Sequence, residues 1–439
     1  MKQVSVSANN FTDYLVAFVL TGVPFYAFLT VWGSTIVGHY TALRLWDDVL
    51  LLIVFVLACW WLAHDRELWK WFTHSLLVRL IAAYTVLTFS LGVVALVKGE
   101  VTGEALAYGL LINLRFLVWF LAVFLAGQRS PWLRRTWPRL LLLPAAVVVI
   151  FAVLQYTLLP HDFLSHFGYN TATTIEPIET INHNSDYIRV QSTLRGANPL
   201  GAYLIIVLSA ISVLYIRGRR KLLCVVLGIT TLIALYASGS RSAWIGAALS
   251  IVFIAWSQLE GRRRRLIFGS IGLAVVVCTV LGYILFKNNA RLQNEVLHTQ
   301  TNTSVKATSN GAHVSALVTG VRDVVQQPFG DGPGTAGPAS VYNGTHPARI
   351  AEDYYVQVAQ ETGWLGLILF LSILTLTALE LYDQTKVSRL SLITFASLIG
   401  IAFVNLLSHA WADDTLAYLW WGLAGIALAR PPRKDKDHV

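Results

Sequence analysis

Apolar residues in this chain run together instead of alternating or falling into stripes. Twelve stretches are almost continuously apolar: residues 11–33, 47–64, 75–97, 105–126, 138–159, 197–216, 221–238, 242–258, 265–287, 362–381, 389–408 and 412–429. About 20 such residues wound as an α-helix cover the roughly 30 Å hydrocarbon core of a bilayer. The pattern predicts an all-α, polytopic membrane protein of about twelve transmembrane helices, with residues 1–439 as a single integral membrane domain.

Two polar connections are too long to be simple hairpins: residues 161–198, which end in an Arg-rich stretch, and residues 287–361. Within the second, Val314, Leu317, Val318, Val321 and Val325 recur at helical spacing, which predicts a helix over 313–327 lying on the membrane or capping a cavity. Pro328-Phe329-Gly330-Asp331-Gly332-Pro333-Gly334 is turn chemistry. A further helix is expected to start near Ala348 and to run without a break into the tenth span. Long ordered loops on a helical scaffold are usually functional.

Charge sets the orientation. Basic residues cluster in one alternate set of short connections, among them Arg129, Arg134, Arg135 and Arg139, then Arg217 to Lys221, then Arg262 to Arg265, then Arg430 to Lys436. The short connections on the opposite side hold Arg44, Lys98 and Arg241. The positive-inside rule then puts both termini in the cytoplasm and both large loops outside a bacterial cytoplasmic (inner) membrane. Composition agrees with the membrane reading. Apolar residues make up 55% of the chain and charged residues 13%, against about 25% charged in soluble domains. The net charge of +9 belongs to these topology clusters and lacks the soluble, aromatic-interleaved patch that nucleic acid would need, so no nucleic-acid partner is expected. The first apolar run lacks a cleavage site and reads as a retained helix. Cys59, Cys224 and Cys278 sit in apolar runs as small hydrophobes.

Candidate chemistry gathers on the loop side. Arg195 opens the sixth span in Arg195-Gly196-Ala197-Asn198-Pro199, with Arg189 six residues earlier. Arg241 lies in the tight hairpin Ser238-Gly239-Ser240-Arg241-Ser242-Ala243-Trp244, against the positive-inside bias. One such arginine reads as a lipid-headgroup contact. Three at one face, beside Gly, Ser and Asn, predict an anion site, because guanidinium forks fit phosphate oxygens and helix N-termini add donors. Arg322 on the loop helix joins this set. Arg115, beside Asn113, lies mid-span, where a charge costs roughly 2.5–3.5 kcal/mol or more and faces the protein interior. It contacts substrate or forms a structural pair. Glu352, Tyr355, Ala359, Gly363 and Gly366 share one face of the expected tenth-span helix, with His313, His346 and His409 as further candidates. No zinc spacing, Walker loop or GxSxG elbow occurs, and no DxD-like pair among the outward-facing carboxylates marks a metal-nucleotide site, so no metal and no cofactor are expected.

Taken in order, the Arg-rich Asn-Pro entry to span six, the Ser-Gly-Ser-Arg-Ser-Ala-Trp hairpin, the Pro-Phe-Gly-Asp-Gly-Pro-Gly turn, Glu361-Thr362-Gly363-Trp364-Leu365-Gly366 and Ser408-His409-Ala410-Trp411-Ala412-Asp413-Asp414 resemble the O-antigen ligase and O-antigen polymerase superfamily. The resemblance covers roughly residues 185–425. It implies a membrane glycosyltransferase that takes a glycan from undecaprenyl pyrophosphate and passes it to a sugar or lipid acceptor. It also implies that Arg189, Arg195 and Arg241 hold the pyrophosphate. Many members carry a His-Asn pair ahead of the Gly-x-x-Gly helix where this chain has Glu352-Asp353. Glu352 is therefore the expected catalytic base and His346, in a Gly/Thr/Pro-flanked stretch expected to be mobile, the runner-up.

The expected activity is a metal-independent, inverting transfer at the outer membrane face, with Arg241 assisting departure of the pyrophosphate. The partners would be an undecaprenyl-pyrophosphate-linked donor, a sugar or lipid acceptor, and membrane lipids. A twelve-helix secondary transporter of an anionic or lipid-linked substrate is the alternative, although transporters usually carry internal repeats and midplane polar sites. A non-catalytic glycan-binding protein would not need the arginines.

Overall fold

The structure, a computed structural model, describes residues 2–181, 184–218, 220–261 and 309–429. Its helices are α1 (Lys2–Gly22), α2 (Tyr26–Val37), α3 (Tyr40–Leu43), α4 (Trp46–His64), α5 (Arg66–His74), α6 (Leu76–Lys98), α7 (Gly103–Arg129), α8 (Pro131–Thr157), α9 (Ala197–Arg217), α10 (Lys221–Ala237), α11 (Arg241–Gln258), α12 (Ser309–Gln326), α13 (Tyr354–Asp383), α14 (Arg389–Asn405) and α15 (Asp414–Leu428). Eleven of the twelve expected spans coincide with these helices. The ninth (265–287), with Arg262 to Arg265 and Cys278, lies outside the described residues, as do Arg219, residues 287–308 and the basic residues from Arg430 onward. Seven helical stretches among the described residues are long and apolar enough to cross a membrane.

Helix boundaries follow local chemistry. Side chains of Asp65, Ser75, Thr102, Ser130, Asp353, Ser388 and Asp413 cap α5, α6, α7, α8, α13, α14 and α15, each accepting from a backbone N–H of the first turn. The short helix α15 is buried from Asp414 to Leu428 and packs against α7, α9 and α14. Around it Trp420 and Trp421 meet edge to face at 5.0 Å, and Phe116 lies 5.2 Å from Trp421. Their ring nitrogens do not all go unsatisfied: Trp420 Nε1 donates to the Thr394 carbonyl at 3.2 Å. At the periphery, Val86, Phe89 and Val97 of α6 and Leu222, Val226 and Ile229 of α10 are exposed. Water would penalise such a surface, whereas lipid would cover it.

Two features of the loop-bearing end differ from expectation. The first loop folds back as a hairpin of β1 (Glu179–Ile181) and β2 (Asn184–Arg189), antiparallel, with Glu179 opposite Arg189. The helix expected from Ala348 begins instead at Tyr354, because Asp353 Oδ1 caps it through the Val356 N–H at 2.9 Å and Glu352 before it takes a left-handed φ of 56°. Nor does it run unbroken. Gly363 has φ 67° and ψ −173°, which interrupts α13. The backbone groups freed there are taken up by the turn after α12: Trp364 N–H donates to the Pro328 carbonyl (3.0 Å), while Asp331 and Gly332 N–H donate to the Gln360 and Glu361 carbonyls (both 2.9 Å). The predicted loop helix and the turn that ends it are thus both present, and what approaches the glycine face is this turn.

Candidate active site

The hairpin delivers Arg189 to the tight turn between α10 and α11. Its Nε donates to the Ser238 carbonyl at 2.9 Å and its Nη2 to Asn198 Oδ1 at 2.6 Å, while Glu179 Oε2 lies 3.7 Å from Nη1. Burial pulls the guanidinium's pKa down, and Glu179 opposes that. Gly239, with φ 60°, passes so close that a Cβ there would sit 3.3 Å from Arg189 Cγ. Arg241 starts α11 two residues later. Its pKa is also lowered, by burial first and then by the charge of Arg189. Two guanidinium groups that repel one another in partial burial favour an anion between them.

Arg195 ends a segment pinned inside the bundle. Ser192 Oγ donates to the Val148 carbonyl and Thr193 Oγ1 to the Pro24 carbonyl, both at 2.7 Å. Arg195 itself keeps solvent access. The charged and phenolic groups facing it are Tyr108, Arg44, Asp414 and Asp413, a different neighbourhood from that of Arg189 and Arg241. The expected donors at the N-terminus of α9 are partly spoken for, since Ala197 N–H donates to Glu179 Oε1 at 3.1 Å.

Arg115 is engaged through its terminal nitrogens, while its buried Nε has no hydrogen-bond partner among the described residues. It pairs with Asp414, lies 3.9 Å from Asp48, donates to the Ala412 carbonyl at 3.1 Å and sits over the Tyr418 ring at 5.8 Å. The pairing with Asp414 is one of the two roles read from the sequence. Arg322 is exposed on α12.

Glu352 and His313 meet across the second loop, the carboxylate paired to His313 Nδ1. That hydrogen bond draws the Glu352 pKa below the ordinary glutamate value, against burial and with help from the charges of His313 and His409. Both line a cavity of about 260 Å³ together with Asn198, His409 and Asp413. His409 Nε2 is buried there with no hydrogen-bond partner among the described residues, and burial pushes the imidazole pKa down to about 4. His409 is therefore neutral near pH 7. A non-glycine residue held at positive φ is uncommon and concentrates at functional positions; Glu352 is one. His346 stands elsewhere. Its Nδ1 donates to the Pro347 carbonyl and its Nε2 accepts from Asn343 Nδ2, each at 2.9 Å. Asn343 also donates to the Glu100 carbonyl at 3.0 Å, so this stretch is tied down and both ring nitrogens are occupied.

Asn198 joins the two groups, accepting from Arg189 while lining the cavity of Glu352, His313 and His409. The sequence pointed to Arg189, Arg195, Arg241 and Glu352 but not to Arg44 and Tyr108, whose hydrogen bond (2.9 Å) couples the starts of α4 and α7. It also missed Arg349, which clamps the loop through Asp331 at 2.5 Å and Asp323 at 3.2 Å. Neither carries a motif signal, because both depend on contacts between distant segments.

Residues 225–371 match the family model described as O-Antigen ligase. An O-antigen polymerase of Salmonella muenchen is 24% identical over 233 residues, 52% of this chain. Over these stretches the chain is similar to O-antigen ligases and polymerases. The aligned part is 55% of that polymerase, so the chain spans about half the length of the curated relative it matches. Within the ligase-type region fall Arg241, Arg322, His313, His346 and Glu352, whereas Arg189, Arg195, Arg115 and His409 lie outside it.

Proposed function

We propose that this protein is a member of the O-antigen ligase and polymerase superfamily and a metal-independent, inverting glycosyltransferase. It moves a glycan from an undecaprenyl-pyrophosphate carrier to a sugar or lipid acceptor at the outer face of the cytoplasmic membrane. Both termini lie in the cytoplasm, as the distribution of basic loops argues. The observation that carries the reading is Asn198, which links Arg189 to a cavity with two carboxylates and two imidazoles.

In this reading the pyrophosphate sits between Arg189 and Arg241. The acceptor oxygen attacks the anomeric carbon, the bond to the pyrophosphate oxygen breaks, and the pyrophosphate leaves on its polyprenyl chain. One displacement inverts the anomeric centre. The arginines stabilise the charge that grows on the leaving group, and the acceptor proton passes to the Glu352–His313 pair. Glu352, drawn below its ordinary pKa, is a weaker base by itself than glutamate in water; paired to Nδ1 it orients His313, whose other ring nitrogen accepts the proton. His409, neutral and unpartnered at Nε2, accepts a hydrogen bond from a sugar hydroxyl.

The test is transfer by the purified full chain in lipid nanodiscs, supplied with the lipid-linked glycan pool of the cell of origin. Product formation, with accumulation of the same lipid-linked glycan when the gene is deleted, is expected. An unchanged lipid-linked pool in the deletion strain, together with no transfer in vitro, would sink the reading.

A further inference from the structure

A second cavity, of about 400 Å³, opens between the hairpin and the loop-side ends of α8, α10 and α11. It shares no lining residue with the cavity of Glu352 and His409. Arg189 connects the two, lining this one and donating to Asn198 in the other. One wall is aromatic: Tyr236 and Trp244 stack with centroids 5.9 Å apart and planes 13° apart, and Tyr156 meets Tyr236 edge-on at 6.3 Å. Trp244 is fixed in this pose by its Nε1 bond to the Leu235 carbonyl at 2.8 Å. The hairpin brings Asp186 to the opposite side. Gln155, near the end of α8, adds a side-chain carbonyl that is buried and has no hydrogen-bond partner among the described residues.

The size lies within the roughly 300–1,000 Å³ of small-ligand sites. A buried carbonyl without a donor is costly until something donates to it. A polyprenyl tail has no donor to offer Gln155 and would leave Asp186 against hydrocarbon. A second phosphate would meet the carboxylate of Asp186. An interfacial aromatic belt explains exposed ring edges but neither the cavity nor the Gln155 carbonyl. A pyranose answers both needs, because its C–H face covers an aromatic ring while its rim hydroxyls donate to an amide and a carboxylate.

We propose that this cavity is a saccharide subsite, holding one sugar residue of the donor glycan beyond the one that reacts. This rests on the transfer reading, so its test reads binding and not turnover. Saturation-transfer NMR on the full chain in nanodiscs, with the oligosaccharide released by mild acid from the lipid-linked pool, reports contact directly. Wild-type protein should saturate the sugar protons, and Tyr236→Leu and Gln155→Leu should each weaken binding about tenfold. Glu352→Gln should bind as the wild type does. Geranyl pyrophosphate should bind equally to wild type and to both subsite variants. No oligosaccharide contact in the wild type, or equal contact in both subsite variants, overturns the proposal. Loss of geranyl pyrophosphate in the variants also overturns it, by giving the cavity to the carrier. Failed transfer with intact oligosaccharide binding would instead count against the catalytic reading alone.

Discussion

Glu361 reaches from the first segment of α13 to the N–H of Gly334, its Oε1 accepting at 2.7 Å while its Oε2 accepts from Asn113 Nδ2 at 2.7 Å. A fully buried carboxylate thereby ties the glycine turn to two membrane helices. The turn in turn satisfies the backbone groups opened at Gly363. The second loop is held in place by backbone bonding at a break in a helix, which fixes where His313 and Glu352 meet.

Breaking this arrangement should loosen the loop more than it unfolds the bundle. Glu361→Ala leaves Gly334 N–H and Asn113 Nδ2 short of a partner, a cost of about 1–3 kcal/mol. Gly363→Ala puts a Cβ 2.5 Å from Phe329 C in a residue at φ 67°, with a backbone penalty of about 1–3 kcal/mol before the clash is counted. Both variants should melt earlier in detergent and expose the 328–334 turn to protease. A wild-type melting curve for Gly363→Ala would mean that the break in α13 is absent.

Arg241→Lys is expected to lower kcat/KM by at least about tenfold, since an ammonium group cannot replace a two-pronged contact to phosphate oxygens. The measurement is initial transfer rate against donor concentration. Arg322→Lys, on the exposed part of α12, should stay within about twofold of wild type. The opposite ranking would move the pyrophosphate site to the loop helix.

If Glu352 and His313 act as one unit, Glu352→Gln and His313→Ala should each cost about 100-fold or more in transfer rate. The double variant should then be little worse than either single one. His346→Ala should retain most activity, because both ring nitrogens already serve the loop. Additive losses in the double variant would separate the two residues. An inactive but folded His346→Ala would restore histidine 346 as the base.

His409 gives the protein an acid-sensitive joint. Its imidazole is held near pKa 4 in the fold against 6.5 as the ordinary value. Between those values only the unfolded chain binds the proton, so stability falls as pH drops through that window, by up to roughly 3 kcal/mol in all. The melting temperature of the wild type should therefore decline more steeply from pH 6.5 to pH 5 than that of His409→Gln. Parallel declines would place His409 in solvent.

The helices were legible in the chain because a bilayer demands about 20 apolar residues per crossing, and because Ser, Thr and Asp caps mark helix starts locally. Runs such as 197–216 and 389–408 needed no partner to be recognised. Arg189, Arg195, Arg241 and Glu352 were also visible, as charges beside small residues at one membrane face. Their grouping was not. Arg189 meets Ser238 and Asn198 only because the hairpin pairs Glu179 with Arg189, and short strands of mixed polarity leave no periodic trace. Glu352 finds His313 only because the chain turns back at 328–334 and α13 breaks at Gly363. A glycine in an apolar run reads equally well as helix packing or as a break, and the choice rests on the Pro328 and Phe329 backbone that lies against it.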